Sequence, residues 1–458
     1  MIVRRRRQQK TLTHPNSHTP EGTMHHLVNN LLLYTTPRHD SILENLSFVM
    51  ERVDEGDFDV DYARRGVFDM TKKILDLSTA YGFDTNLWQS YLTYHLVMSE
   101  NSFSLTCERV GASEGGSINR LAKHDLEIFH KLFHYDFSDW EKRLDTDVFS
   151  ILTDYRAIPK RDCLYNADVS LHIRLLRERL AESSNADEMF AHLTTYYRNR
   201  GVGMLGMNRA FRLAEGEEGI EFVPVQNADR LLLSDLVGYE REKQQLKVNT
   251  KAFVEGKRAN NVLLYGDSGT GKSSSVKAVL GEYFEDGLRM IEIYKHQFGL
   301  LSSVIAAIKK RNYRFIIYID DLSFEEHEIE YKYLKAVIEG GVETRPENIL
   351  IYATSNRRHL IRETWSDRAD MEHDGDIHRS DTMEEKLSLA ERFGLSIRYS
   401  DPTHEEYLNI VRTLAEREGL DVDEETLIRE ANRFELRHGG VSGRVARQFI
   451  DDMLTKKK

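Results

Sequence analysis

The chain has 458 residues, enough for about two to four domains, and its 40% hydrophobic and 30% charged residues are typical of a globular protein. The net charge of −12 disfavours nucleic-acid binding through the overall field, so such binding would need a local basic patch. The 2 cysteines exclude a disulfide framework, and no apolar run approaches the ~18 residues that span a bilayer, so the expected location is the cytoplasm.

Residues 1–24 are predicted to be a disordered basic tail. The run Arg4–Arg7 is followed by polar residues instead of the apolar segment of a secretory signal. Two interpretations stay open. The tail is either a binding segment for nucleic acid or anionic lipid, or a dispensable extension ahead of an alternative start at Met24.

Residues 25–198 are predicted to form a helical N-terminal domain, because apolar residues recur there at helical spacing. The dense aromatic residues between Phe129 and Trp140 favour a helical core over a protein-binding groove. His124, His130 and His134 approach metal-ligand spacing, but without paired carboxylates or cysteines a metal site is disfavoured.

Residues 199–230 are predicted to be a junction that contains a β-hairpin. The stretch 201–206 matches Gly-x-Gly-x-x-Gly, yet no strand precedes it and no suitably spaced acidic residue follows. It is therefore interpreted as a flexible junction rather than a dinucleotide site. The hairpin is expected within Phe211–Val225.

A P-loop, or Walker A motif, follows an apolar run at 262–265. The pattern Gly-x-x-x-x-Gly-Lys-Ser is formed by Gly266, Asp267, Ser268, Gly269, Thr270, Gly271, Lys272 and Ser273. Glycines let backbone N–H groups surround phosphate oxygens, Lys272 adds a positive charge, and the Ser273 hydroxyl is a ligand for Mg²⁺. The sequence thus predicts ATP and Mg²⁺ as ligands, with an amphipathic helix after the loop.

Residues 231–400 alternate short apolar runs with helical patterns, which predicts an α/β fold with a parallel, doubly wound sheet. Its strands are expected at 261–265, 288–293, 315–319, 349–353 and 395–399. Residues 401–458 are predicted to be helical again.

The strand 315–319 ends in two carboxylates, as a Walker B motif does. A buried strand would place both beside the P-loop. Asp320 is the expected magnesium ligand, through the water shell of the ion, and Asp321 would orient or deprotonate the attacking water.

Through these motifs, the chain from about 231 to 458 resembles an AAA+ ATPase, with a P-loop core and a C-terminal helical lid. Within that superfamily it is similar to a group of uncharacterised bacterial ATP-binding proteins, known as a domain of unknown function. The resemblance implies that Val237 and Gly238 hold adenine, that Asn356 is the first sensor, and that Arg444 is the second. Arg392 corresponds to the arginine finger, which usually acts on a neighbouring subunit and so implies a homo-oligomer.

The superfamily's common Walker B motif ends in Asp-Glu, whereas this chain has Asp320 followed by Asp321. Asp-Asp also occurs in AAA+ proteins that resemble replication initiators and helicase loaders, where hydrolysis is slow. Weak basal turnover is therefore expected.

Three hypotheses follow for function. The preferred one is an ATPase of low activity, a motor that assembles and acts on an unidentified protein or nucleic-acid partner. The second is an ATP-loaded scaffold or switch with negligible hydrolysis. A small-molecule kinase is the weakest, because a second sensor and a lid have no simple role there.

Two further segments have competing interpretations. Lys295–Leu300 lies where protein-threading AAA+ machines place an aromatic–glycine pore loop, but Phe298 also fits the apolar helical face that follows. The charged insertion 362–385 is either a partner-binding or subunit-contact loop, or a solvated connection.

Overall fold

A computed structural model describes residues 22–35, 41–55, 59–112, 115–158, 166–216, 219–225, 231–325, 328–339, 346–356, 360 and 389–456. The chain divides into two compact units, 1–198 and 199–458. Most of the predicted basic tail, the charged insertion 362–385 and Cys163 lie outside the described residues. Within the described residues, no helix combines the length and apolar character needed to cross a membrane.

The first unit is built from helices. Their bounds are α1 (Met24–Asn29), α2 (Ile42–Asp54), α3 (Val60–Tyr81), α4 (Leu87–Met98), α5 (Ser102–Val110), α6 (Ser117–Phe133), α7 (Ser138–Leu144), α8 (Val148–Thr153), α9 (Ala167–Glu182) and α10 (Ala186–Arg200). Helix α4 is apolar around most of its circumference, and it packs against α3, α6, α8 and α9. A helix without a polar face must be enclosed by its neighbours, so α4 is the centre of this unit.

The aromatic residues of 129–140 belong to the core of the first unit. Phe129, Phe133, Phe137 and Trp140 are all buried. The histidines contact carbonyl oxygens: His130 Nε2 is 3.0 Å from the Ser183 oxygen. In the described part of the chain, no cluster of three metal-ligating side chains occurs.

The second unit contains one sheet of seven strands. They are β1 (Ala210–Gly216), β2 (Gly219–Pro224), β3 (Val262–Gly266), β4 (Leu288–Glu292), β5 (Arg314–Ile319), β6 (Ile349–Ser355) and β7 (Leu395–Tyr399). Their order across the sheet is β2-β1-β4-β5-β6-β3-β7, and the neighbouring pairs are parallel except for β1 and β2. Strand β6 thus lies between the P-loop strand β3 and the acidic strand β5.

Helices cover both faces of this sheet, and three more form the lid. The core helices are α11 (Gly203–Met207), α12 (Glu240–Val254), α13 (Lys272–Tyr283), α14 (Leu301–Ile308) and α15 (Glu330–Glu339); the lid helices are α16 (His404–Arg417), α17 (Glu424–His438) and α18 (Gly443–Lys456). Two separate apolar clusters pack on the two faces of the sheet, and a third fills the lid. The predicted fold class is confirmed.

The stretch 201–206 differs from the flexible junction that its glycines predict. Gly201 has φ +91°, and a Cβ there would overlap the Tyr313 hydroxyl. The same hydroxyl accepts a hydrogen bond from Val202 N at 3.0 Å. Arg289, only 2% exposed, donates to the carbonyls of Leu205 and Gly206 at 2.9 and 3.1 Å. The glycines permit close packing here, and β1 then joins the sheet beside β4.

The contact between Gly201 and Tyr313 can be tested by substitution. Gly201→Ala should lower the free energy of unfolding by about 2–4 kcal/mol, because it adds steric overlap to backbone strain. Gly287 is the matched control: it has the same φ of +91° but open space around its Cβ position. Gly287→Ala should cost only about 1–2 kcal/mol in denaturant titrations. Equal losses in the two variants would show that the Tyr313 contact contributes nothing.

Candidate functional site

The P-loop connects β3 to α13, and two of its glycines are sterically required. Gly266 has φ +133°, and a Cβ there would collide with the Tyr399 carbonyl of the neighbouring strand. Gly271, with φ +94°, precedes the first residue of α13. Asp267 N donates to the Tyr399 oxygen at 3.0 Å, which fixes the loop to β7. The N-terminus of α13 therefore faces the cavity described below, with the dipole sense that favours anions.

Lys272 folds back over the loop. Its Nζ donates to the carbonyl oxygens of Gly266 at 2.9 Å and Asp267 at 2.6 Å. Burial lowers the pKa of Lys272 below its ordinary value, and the negative charges of Asp267, Asp321 and Asp320 partly offset this effect. An anion beside the ammonium would raise the pKa of Lys272 again. A bound phosphate would therefore stabilise the charged form of this lysine.

The magnesium ligands predicted from the sequence lie together. Ser273 Oγ donates to Asp320 Oδ1 at 2.7 Å. Thr354 Oγ1, from β6, donates to the same oxygen at 2.6 Å. Burial acts to raise the pKa of Asp320, but hydrogen bonds, from Thr354 and Ser273 first, and the positive charge of Lys277 together bring the pKa below its ordinary value. A hydroxyl and an ionised carboxylate side by side fit the oxygen ligands that Mg²⁺ prefers.

Sequence reasoning missed Thr354 as a functional residue. Besides contacting Asp320, its hydroxyl accepts a hydrogen bond from Asp321 N at 3.0 Å. The available signal was period-two spacing: Thr354 and Asn356 are two residues apart at the end of one strand, so they point to the same face. The sequence pattern does not indicate that β6 lies next to β5, which is what brings Thr354 to Asp320.

Asp321 has an unusual backbone conformation, with φ +51°. Asp and Asn occupy this left-handed region more readily than Glu does, which gives a backbone reason for the Asp-Asp ending. Its Oδ1 accepts a hydrogen bond from Asn356 Nδ2 at 2.8 Å. The two residues predicted to handle the attacking water are thus in contact.

A cavity of about 810 Å³ lies between the core and the lid, within the size range of small-molecule sites. Its polar lining includes residues 268–275, Asp320, Asp321, Thr354, Asn356 and Arg444. Its apolar lining includes Leu236 and Val237 from the core and Ile410 and Leu414 from the lid. One charged side and one apolar side suit a molecule that carries both phosphates and a planar base.

The remaining predicted residues lie around this cavity or away from it. Gly238, with φ +82°, forms the turn after Val237. Arg444 N donates to the Gly269 carbonyl at 3.2 Å, which joins the start of α18 to the P-loop. Arg392 is paired with Glu339 and is not among the described residues that line the cavity.

The structure favours the helical-face interpretation of Phe298 over the pore loop. Phe298 is 1% exposed and contacts Phe324, with ring centroids 6.1 Å apart. A side chain so deeply buried is not available to grip a substrate.

The link between Thr354 and the magnesium site generates a prediction. Thr354→Val removes the hydroxyl at nearly constant volume, so the Mg²⁺ concentration that half-saturates nucleotide binding should rise about 10- to 100-fold. Fluorescence titration of a labelled nucleotide measures it. Thr250 is a control, since its buried hydroxyl donates to Leu246 O and contacts Tyr352 Oη. Thr250→Val should leave the Mg²⁺ requirement unchanged; a shift in both variants would point to general loosening.

The same substitution has a pH signature. Because the pKa of Asp320 is lowered by folding, its contribution to stability is complete above the ordinary carboxyl pKa and is lost as the pH falls through the folded value. Thr354→Val should therefore be most destabilising at neutral pH and lose part of its effect in acid. Denaturant titrations across the acid range measure this, and an effect independent of pH would contradict the role of that hydrogen bond.

Comparison with known proteins gives one family. A model described as a protein of unknown function, DUF815, matches residues 206–457. No curated protein matches the chain. Among solved structures, the Thermotoga maritima RuvB Holliday junction branch migration motor is 16% identical, with 49% of this chain and 66% of that chain covered and a TM-score of 0.35. An arginine-to-alanine mutant of it is 15% identical, with 50% and 67% covered and a TM-score of 0.34. At these values the likeness carries no argument about function.

The family model covers more than half of the 458 residues, from the last residues of α11 to the end of the lid. The same region contains the P-loop, the paired acids and the three lid helices described above. The second unit has a P-loop α/β fold with a helical lid, and the protein therefore belongs to the DUF815 family.

Proposed function

We propose that this protein binds Mg·ATP and hydrolyses it slowly as part of a homo-oligomer. The observation that carries the proposal is the cluster around Asp320: Ser273 and Thr354 both donate to one carboxylate oxygen, at 2.7 and 2.6 Å, beside the P-loop. Such an arrangement fixes an ionised carboxylate next to a hydroxyl, as a magnesium–phosphate site requires.

Each residue has a distinct role in this proposal. The N–H groups of 268–273 and the Lys272 ammonium bind the phosphates, and Ser273 and Asp320 would hold the magnesium ion, which neutralises phosphate charge when bound. Asp321 orients the attacking water and accepts its proton. Asn356 positions Asp321, and Arg444 brings a positive charge from the lid to the phosphates.

Arg392 acts in this proposal on the nucleotide of a neighbouring subunit. The assignment is supported by the absence of Arg392 from the described lining of its own cavity. Where an arginine finger stabilises the charge on the transferring phosphoryl group, it accelerates hydrolysis about 10³- to 10⁵-fold. Turnover then depends on assembly.

The second candidate is an ATP-loaded switch with negligible hydrolysis. The hydrogen bond between Asn356 and Asp321 favours it, because it engages the carboxylate that would otherwise activate water. In this case ATP orders the lid, which then presents a surface to an unidentified protein or nucleic-acid partner. The cytoplasm remains the proposed location.

Turnover by mixed subunits separates these candidates. In the native chain, ATP turnover per subunit should rise with protein concentration, and Arg392→Ala should lower it about 10³-fold or more without loss of nucleotide binding. Asp321→Asn should also be inactive, but mixing the two variants should restore activity. In mixed assemblies, an Asp321→Asn subunit supplies Arg392 to a neighbour whose Asp321 is intact.

One control variant and two possible outcomes test this proposal further. Arg433, an exposed lid arginine paired with Glu430 at 2.8 Å, should be replaceable by Ala without effect. No recovery on mixing would contradict a finger that acts between subunits. Negligible turnover in every chain, with binding that disappears in Lys272→Ala, would favour the switch.

A further inference from the structure

Two cations hold the backbone carbonyls of the short segment Leu233–Leu236. Lys243 Nζ donates to the oxygens of Leu233 at 3.4 Å and Leu236 at 2.7 Å. The Arg417 guanidinium donates to the oxygens of Ser234 at 3.0 Å and Asp235 at 2.5 Å. Four consecutive carbonyls therefore each accept a charged donor, and charge-assisted hydrogen bonds are stronger than neutral ones.

The two cations come from different parts of the second unit. Lys243 lies on the core helix α12 and is 7% exposed. Arg417 is the last residue of the lid helix α16. The conformation of 233–236 consequently depends on the core and on the lid together.

This segment shapes the apolar side of the nucleotide cavity. Asp235 and Leu236 line the cavity, and Val237 continues the lining. From the lid, Ile410 and Leu414 line it too. Residues 410, 414 and 417 are spaced four and seven apart, so Arg417 lies on the same face of α16 as the two apolar residues.

The phosphate side has a separate connection to the lid. There, Arg444 N at the start of α18 donates to the Gly269 carbonyl at 3.2 Å. That contact involves neither α16 nor the segment 233–236. Loss of Arg417 thus leaves the P-loop contact of the lid in place.

We propose that Arg417 is a positioning residue for the base of the bound nucleotide. By fixing Ser234 and Asp235, it holds Leu236 and Val237 opposite Ile410 and Leu414, so that the base enters a preformed apolar slot. Phosphate binding, which depends on the P-loop, does not require it. The inference rests on the proposed ATP-binding function, and it adds a residue that none of the predicted motifs contains.

Two ligands distinguish the base side from the phosphate side. Mg·ATP carries a base, whereas inorganic tripolyphosphate with Mg²⁺ engages only the phosphate site. Calorimetric titration of the full chain should show that Arg417→Ala weakens ATP binding about tenfold. Tripolyphosphate affinity should stay within about twofold of the native value. Arg417→Lys should be intermediate, because one ammonium cannot reproduce the planar fork that spans two carbonyls.

A neighbouring arginine is the matched control. Arg412 lies on the same helix, is partly exposed, and pairs with Glu424 at 2.8 Å within the lid. Arg412→Ala should leave both affinities unchanged. Lys272→Ala should abolish the binding of both ligands.

The results that would overturn the role of Arg417 differ from those that would refute ATP binding. Unchanged ATP affinity in Arg417→Ala would overturn the inference, and so would an equal loss for both ligands, which would mean that Arg417 supports the lid as a whole. Weakening of ATP binding by Arg412→Ala to the same extent would also overturn it. A native chain that bound neither ligand would refute the proposed ATP-binding function, and the inference with it.

Discussion

The hydrogen bonds to the Asp320 carboxylate connect three strands of the second unit. Asp320 follows β5, Thr354 lies on β6, and Ser273 lies in the first turn of the helix that follows β3. These contacts form because β6 runs between β3 and β5, so the carboxyl ends of all three strands meet at one edge. These donors stabilise the ionised form of a partly desolvated carboxylate, and their loss would let its pKa rise. The order of the strands is therefore the constraint on which the candidate site depends.

The lid contributes to the same cavity through two kinds of contact. On the phosphate side, the backbone of Arg444 reaches the P-loop at Gly269. On the apolar side, Arg417 holds carbonyl groups of the core segment 233–236. Any rotation of the lid would alter one or both contacts. The cavity consequently couples the position of the lid to any ligand that it encloses.

The glycine-rich stretch 201–206 illustrates how one pattern serves different purposes. Its glycine spacing fits a dinucleotide site or a flexible joint, but in the fold it packs against the Tyr313 hydroxyl and accepts hydrogen bonds from the buried Arg289. Small residues are needed there because another side chain approaches the backbone closely. The hairpin that follows is also more than a connection, since β1 extends the parallel sheet beside β4. Both outcomes depend on partners about 80 or more residues away in the chain, which no local pattern contains.

The sequence by itself determined the local chemistry. The spacing of Gly266, Gly271, Lys272 and Ser273 predicted the loop and its helix, and the apolar run before Asp320 predicted a buried strand that ends at the site. Local spacing suffices for these features because a loop and its adjoining helix are made of consecutive residues. The tertiary structure alone decided which distant groups meet: Thr354 at Asp320, and Arg417 at the carbonyls of 233–236. Such contacts depend on strand order and on lid packing. Local sequence patterns do not indicate which distant residues will be in contact in the fold.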